Sequence, residues 1–107
     1  MTAPDDAIVM RVHRVRAEVV VAACDAELLE TDLRVGSNGR VVRVSSQFYG
    51  DRRVGREEFL WALRRATTAN LLGTRVLQLA VEAGVVDAGA TGELGGVPHA
   101  EIFSMPS

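Results

Sequence analysis

Residues 19–24 read Val-Val-Val-Ala-Ala-Cys, an unbroken apolar run that opens with three β-branched side chains. A run of this length and composition is a strand buried on both faces. The chain must therefore build a sheet and cover it on two sides. The run is the longest apolar stretch present, far short of the roughly 18 residues a membrane span needs, so no membrane partner is expected.

The neighbouring segments suit such a sheet. Ile8, Met10 and Val12 alternate with Arg11 and His13, as in a half-buried strand, and Arg16-Ala17-Glu18 closes the two strands into an opening hairpin. Asp25 to Glu30 predicts one or two helical turns capped by Asp25. Gly36-Ser37-Asn38-Gly39 is a turn signal between Leu33-Arg34-Val35 and the alternating series Val42, Val44, Ser46, Phe48, which predicts a second hairpin. Phe59, Leu60, Leu63 and Ala66 fall at helical spacing over Arg56 to Thr67. Leu72, Val76, Leu79, Ala80 and Ala83 extend the pattern to Gly84, with Gly73 ending the first helix and Gly84 the second. Beyond a glycine-punctuated loop at Gly89, Gly92, Gly95 and Gly96, Ala100-Glu101-Ile102-Phe103 reads as a last strand. The order implies an α+β fold: a small mixed or antiparallel sheet of four to five strands, with two main helices packed on one face. The opposite face is then the natural place for a partner. Residues 8–107 are expected to form one domain behind a disordered tail at 1–7.

Composition removes several function classes. All 12 basic side chains are arginine, which excludes Schiff-base lysine chemistry and a P-loop. A lone Cys24 excludes an internal disulfide and every Cys-x-x-Cys motif, and agrees with a reducing compartment. The start, Met1-Thr2-Ala3-Pro4-Asp5-Asp6, is acidic where a signal peptide is basic, which predicts a cytoplasmic protein. With a net charge of −2, any nucleic acid must be met by a local patch. The chain is 48% hydrophobic with 10 glycines, which leaves room for an apolar contact surface such as a homodimer's.

Three constellations are candidates. Arg52, Arg53, Arg56, Arg64 and Arg65 cluster in sequence around Phe48, Tyr49 and Trp61, the guanidinium and aromatic mixture that holds RNA backbone and stacked bases. The alternative is a solvated helix whose Glu57 and Glu58 in the first turn and Arg64 and Arg65 in the last answer its dipole. Gly95-Gly96, with Pro98 and His99 behind, can turn backbone N–H groups toward an anion such as phosphate; the alternative is a tight turn leading into the last strand. Cys24, Asp25, His13 and His99 could form a metal or nucleophile set only if the fold gathers them, because no pair has ligand spacing. Asn70, in an otherwise apolar stretch, either caps a break between the helices, the favoured reading, or bonds a neighbouring loop. No catalytic residue, metal or cofactor is assigned.

Four segments in order, Cys24-Asp25-Ala26-Glu27-Leu28-Leu29, Phe48-Tyr49-Gly50, Ala69-Asn70-Leu71-Leu72-Gly73 and Gly95-Gly96-Val97-Pro98-His99-Ala100, give the chain a resemblance to the archaeal family of domain of unknown function 424. The resemblance implies an archaeal, cytoplasmic α+β protein and carries no activity. The family pattern often continues after the paired leucines with Gly and a basic residue, where this chain has Glu30 and Thr31. The combined expectation is a non-enzymatic binding module contacting RNA or a ribonucleoprotein through the Arg/aromatic patch. The alternatives are a small enzyme or anion sensor built on Gly95–Ala100 with His99, and a homo-oligomeric interaction protein.

Overall fold

In the computed structural model, which describes residues 7–102, β1 (Ile8–Val15) and β2 (Glu18–Asp25) form the expected opening hairpin. They pair without a break from Ile8 opposite Asp25 to Val15 opposite Glu18. The turn is Arg16-Ala17 alone, with Arg16 in the left-handed region at φ 58°. From Val21 to Asp25 every residue of β2 is buried. Val21 and Ala23 enter one core with Ile8 and Met10, while Ala22 and Cys24 enter another with Val9. The apolar run is thus covered on both faces.

The helix expected over Asp25 to Glu30 is a single 3₁₀ turn, Ala26–Leu28. The second hairpin follows as β3 (Asp32–Val35) and β4 (Arg40–Arg43), which form a separate two-stranded sheet. The alternating series does not continue to Phe48. Ser45 accepts the Gln47 N–H at 3.0 Å and starts a short helix, α1 (Ser46–Tyr49). After the two-residue β5 (Arg53–Val54), α2 runs Arg56–Arg64.

The largest difference comes next. Thr68–Leu72, read as helical continuation, is a strand, β6, set parallel to β2 in the middle of the main sheet. Thr67 and Thr68 are β-branched, Ala69 and Leu71 face the helices, and Asn70 and Leu72 face away. A period of two was hidden among apolar residues that also fit a period of 3.6. Gly73, at φ 122°, therefore begins α3 (Thr74–Glu82) instead of ending α2. Gly84, at φ 74°, follows the last turn of α3 as expected. A further strand, β7 (Gly92–Leu94), lies in the stretch read as loop and pairs with β8 (Val97–Ile102).

The main sheet has six strands in the order β5-β1-β2-β6-β8-β7, more than the four to five expected. The expected two helices are three, of which α2 and α3 share one face: their Phe59, Leu63, Val76 and Ala80 pack onto Ile8, Val21 and Leu71. On the other face, Tyr49 of α1, Leu33 of β3 and Val44 just after β4 pack against Val9, Cys24 and Leu72. Of the expected tail only Ala7 falls among the described residues, and Phe103 of the last strand lies outside them.

Candidate functional site

Asp25 ends β2 and is 4% exposed. Its side chain makes no bond to the 3₁₀ turn that follows it, the role expected of it. Instead Oδ2 accepts the Arg75 N–H at 3.0 Å and Oδ1 the Val76 N–H at 2.9 Å. These are unpaired donors at the start of α3, a helix fifty residues further on. The carboxylate also sits where the dipole of α3 is positive. Gly73 makes the approach possible, because a Cβ there would lie 2.7 and 2.8 Å from the two carboxylate oxygens. Its N–H donates to the Pro98 carbonyl at 2.8 Å. Both Asp25 oxygens are therefore committed within the protein.

A second contact crosses the opposite face. Tyr49 of α1, 6% exposed, donates its hydroxyl to Asn70 Oδ1 at 2.8 Å, and Asn70 Nδ2 reaches Glu101 Oε2 at 3.4 Å. Asn70 thus bonds a neighbouring segment and caps no helix. Cross-strand register sets Arg11, Ala22, Asn70 and Glu101 in one row over β1, β2, β6 and β8. Ala22, fully buried, leaves room for the Tyr49 ring. Burial pushes the Tyr49 hydroxyl above its usual range and the Cys24 thiol up to about 12, the latter aided by the charges of Asp25 and Glu27. Cys24 is consequently a protonated, buried side chain with the character of a small hydrophobe.

The four candidate ligands stay apart. Cys24 and Asp25 point to opposite faces of β2. His13 lies opposite Val20, four residues and about 13 Å along the strand from Cys24. His13 Nε2 donates to the Phe48 carbonyl at 2.7 Å, and its ring stacks on Phe48 with centroids 5.5 Å apart. His99 lies opposite Leu72, two strands and about 10 Å from Cys24. Among the described residues no three His, Cys, Asp or Glu side chains are placed to share a metal ion.

Gly95 and Gly96, at φ 59° and 82°, form the two-residue turn of the β7–β8 hairpin. A Cβ on Gly95 would lie 2.8 Å from the Arg34 carbonyl, so close packing on β3 accounts for this glycine. Pro98 faces α3, beside Thr74 and Leu77, while His99 faces the other way.

The arginines divide into two groups. Arg52 pairs with Glu58, Arg53 lies on β5 and Arg56 opens α2. Arg64 and Arg65 stand at its far end, about 12 Å away at 1.5 Å per residue. There the chain enters β6 against the start of β2: the Thr67 N–H donates to the Val19 carbonyl at 2.8 Å, and Thr67 Oγ1 accepts the Val19 N–H at 2.8 Å. Arg64 and Arg65 are thereby brought to the end of the sheet that carries Arg14 and Arg16 on the β1–β2 hairpin. Trp61 lies one turn before Arg65, 58% exposed, with the Arg65 guanidinium carbon 3.9 Å from its ring centroid. The sequence reading missed Arg14 and Arg16 because their proximity to α2 depends on the β2–β6 pairing. Recognising Thr67-Thr68 as the start of a strand would have supplied it.

The fold defines a mixed-sheet α+β protein whose sequence segments meet in fixed contacts: Asp25 with the start of α3, Gly73 with Pro98, and Tyr49 with Asn70. The chain belongs to the family described as protein of unknown function (DUF424), which it matches over residues 13–105. It is similar to a crystal structure of an uncharacterized conserved protein from Methanopyrus kandleri, with a TM-score of 0.81 at 28% identity over 94% of this chain and 93% of that one. No curated protein matches it. Among the described residues no helix is long and apolar enough to cross a membrane.

Proposed function

We propose that the protein is a non-enzymatic binding module that holds single-stranded RNA, alone or within a ribonucleoprotein, where Trp61, Arg64 and Arg65 meet Arg14 and Arg16. Trp61 carries the reading. An indole is among the largest apolar surfaces a side chain offers, and this one is left 58% exposed with a guanidinium at 3.9 Å on a helix that otherwise buries Phe59, Leu60 and Leu63. A base can stack on such an indole, with Arg65 adding cation–π attraction. Arg14, Arg16 and Arg64 are also exposed, ready for phosphates, while the Glu18 carboxylate accepts the Thr67 hydroxyl. Helix-dipole complementarity explains Arg64 and Arg65 but not the exposed indole. Arg52, Arg53, Arg56 and Tyr49 fall outside this surface. We also take the protein to work in a reducing cytoplasm, in keeping with its free Cys24.

The chain has one tryptophan, so its fluorescence reports directly on the proposed surface. Titration with oligouridylate should quench it. Three arginine–phosphate contacts, from Arg14, Arg16 and Arg64, imply a salt slope near −2.1 at about 0.7 per contact on a single strand, or roughly 20-fold weaker binding from 50 to 200 mM salt. Arg14→Gln with Arg64→Gln should lower the slope by about 1.4, whereas Arg56→Gln leaves it unchanged. No quenching at low salt, or an affinity indifferent to salt, rejects the proposal.

A further inference from the structure

Backbone groups along one edge of the main sheet point to a second kind of contact. β1 pairs along its whole length with β2, but on its other side β5 reaches only Ile8 and Val9. The last bond on that side is the Met10 N–H to the Arg52 carbonyl, 3.1 Å. Outward-facing groups alternate along a strand, so the N–H and C=O of Val12 and of Arg14 face the same way as those of Met10. Among the described residues no strand pairs with them. The chain turns away at Gly50 and Asp51, leaving a cleft of about 380 Å³ lined by Met10, Arg11, Val12, Gly50, Asp51 and Arg52. Proteins usually cover, shorten or bulge such an edge, and this stretch is regular and open. Its side chains are mixed: Val12 is 37% and Val15 58% exposed, and among the described residues neither Arg14 nor Arg16 has an ion-pair partner.

We propose that this edge accepts an extended acidic segment of a partner protein, added antiparallel to β1 in the place that β5 leaves vacant. The chemistry of the segment follows from register. Residues directly opposite share a face, so the segment carries an acidic side chain opposite Arg14 and an apolar one two positions later opposite Val12. A second apolar residue precedes the first of these, opposite Val15, and a further acidic one meets Arg16. Main-chain bonds give affinity and the alternate side chains give selectivity, as in other strand-addition complexes. A second copy of this chain fits the edge poorly, because pairing centred on Arg14 sets two arginines opposite each other and pairing centred on Val12 runs into the Arg52 carbonyl. The observations are separate from the Trp61 surface, although Arg14 and Arg16 border both.

The test is amide hydrogen exchange of the whole protein with the hexapeptide Glu-Val-Glu-Thr-Val-Thr, blocked at both ends. In the free protein the Val12 and Arg14 amides should exchange fast, and millimolar peptide should slow both by at least about tenfold while leaving Arg11 and His13, already bonded to β2, unchanged. Methylating the peptide nitrogens of the second glutamate and second valine, which point at β1, should abolish the effect. Arg14→Glu should lose it too and regain it with a peptide carrying lysine for both glutamates. Absence of protection by the parent peptide overturns the proposal. So does protection that rises with protein concentration alone, which would assign the edge to a second copy, or protection by oligouridylate in place of the peptide.

Discussion

Asp25 and Gly73 belong to different segments of the chain, and their dependence on each other can be measured. Asp25→Ala removes two hydrogen bonds to a charged acceptor and strands the Arg75 and Val76 N–H groups at a site that is 4% exposed. An N-cap deletion costs about 1–2 kcal/mol and an unsatisfied buried donor about 1–3, so a loss near 3 kcal/mol is expected. Gly73→Ala meets two obstacles. At φ 122° an L-residue is strained by roughly 1–3 kcal/mol, and its Cβ would press on both carboxylate oxygens at 2.7 and 2.8 Å, adding an overpacking cost of about 1–3. Asp25→Ala relieves the second obstacle and not the first. The double variant should therefore be about 2 kcal/mol more stable than the sum of the two single losses. Urea unfolding followed by circular dichroism gives the three differences. Additivity within about 0.5 kcal/mol, or a loss under about 1 kcal/mol for Asp25→Ala, would refute the close approach from which the argument starts.

Two titrations follow from local geometry. Glu30 is held near pKa 2, first by the Ser46 side chain, then by the Ser46 N–H and Arg43. Its contribution is complete above the unfolded value of about 4.5 and lost as pH falls toward 2, so Glu30→Gln should flatten the acid limb of the stability curve in that window. Cys24 runs the other way: its thiol titrates near 12 when folded against about 9 unfolded, so stability is complete below pH 9 and declines from there to 12. Cys24→Ala should reduce that alkaline decline, and the wild-type thiol should react with an alkylating reagent at pH 8 only as fast as the protein opens; prompt labelling of the folded protein would contradict the burial of Cys24.

What the sequence shows depends on how local the determining contacts are. The β1–β2 hairpin, the Gly36–Gly39 turn and α2 were readable because alternation, turn residues and helical spacing act within a dozen positions. Thr68–Leu72 was not, since Ala69, Leu71 and Leu72 satisfy a helical pattern as well as a strand's, and only pairing with β2 decides between them. The roles of Asp25 and Asn70 depend on that same strand. An aspartate before Ala-Glu-Leu-Leu is a sound local cap, yet its carboxylate is taken by a helix that starts where β6 delivers it. Asn70 becomes a cross-sheet partner of Tyr49 once it lies on a strand face. The four ordered segments hint at these contacts, because three of them meet around Gly73: Asp25 beside it, Pro98 bonded to it, and Asn70 three residues before it holding the fourth through Tyr49. Glu30 makes a related point. It occupies φ 63°, a left-handed conformation that is strained for any residue but glycine. Ser46 and Arg43 hold its carboxylate in that position. The segments that identify the family thus describe how the sheet is joined to its helices, whereas Trp61, Arg64 and Arg65, on which the proposed function depends, lie outside all four.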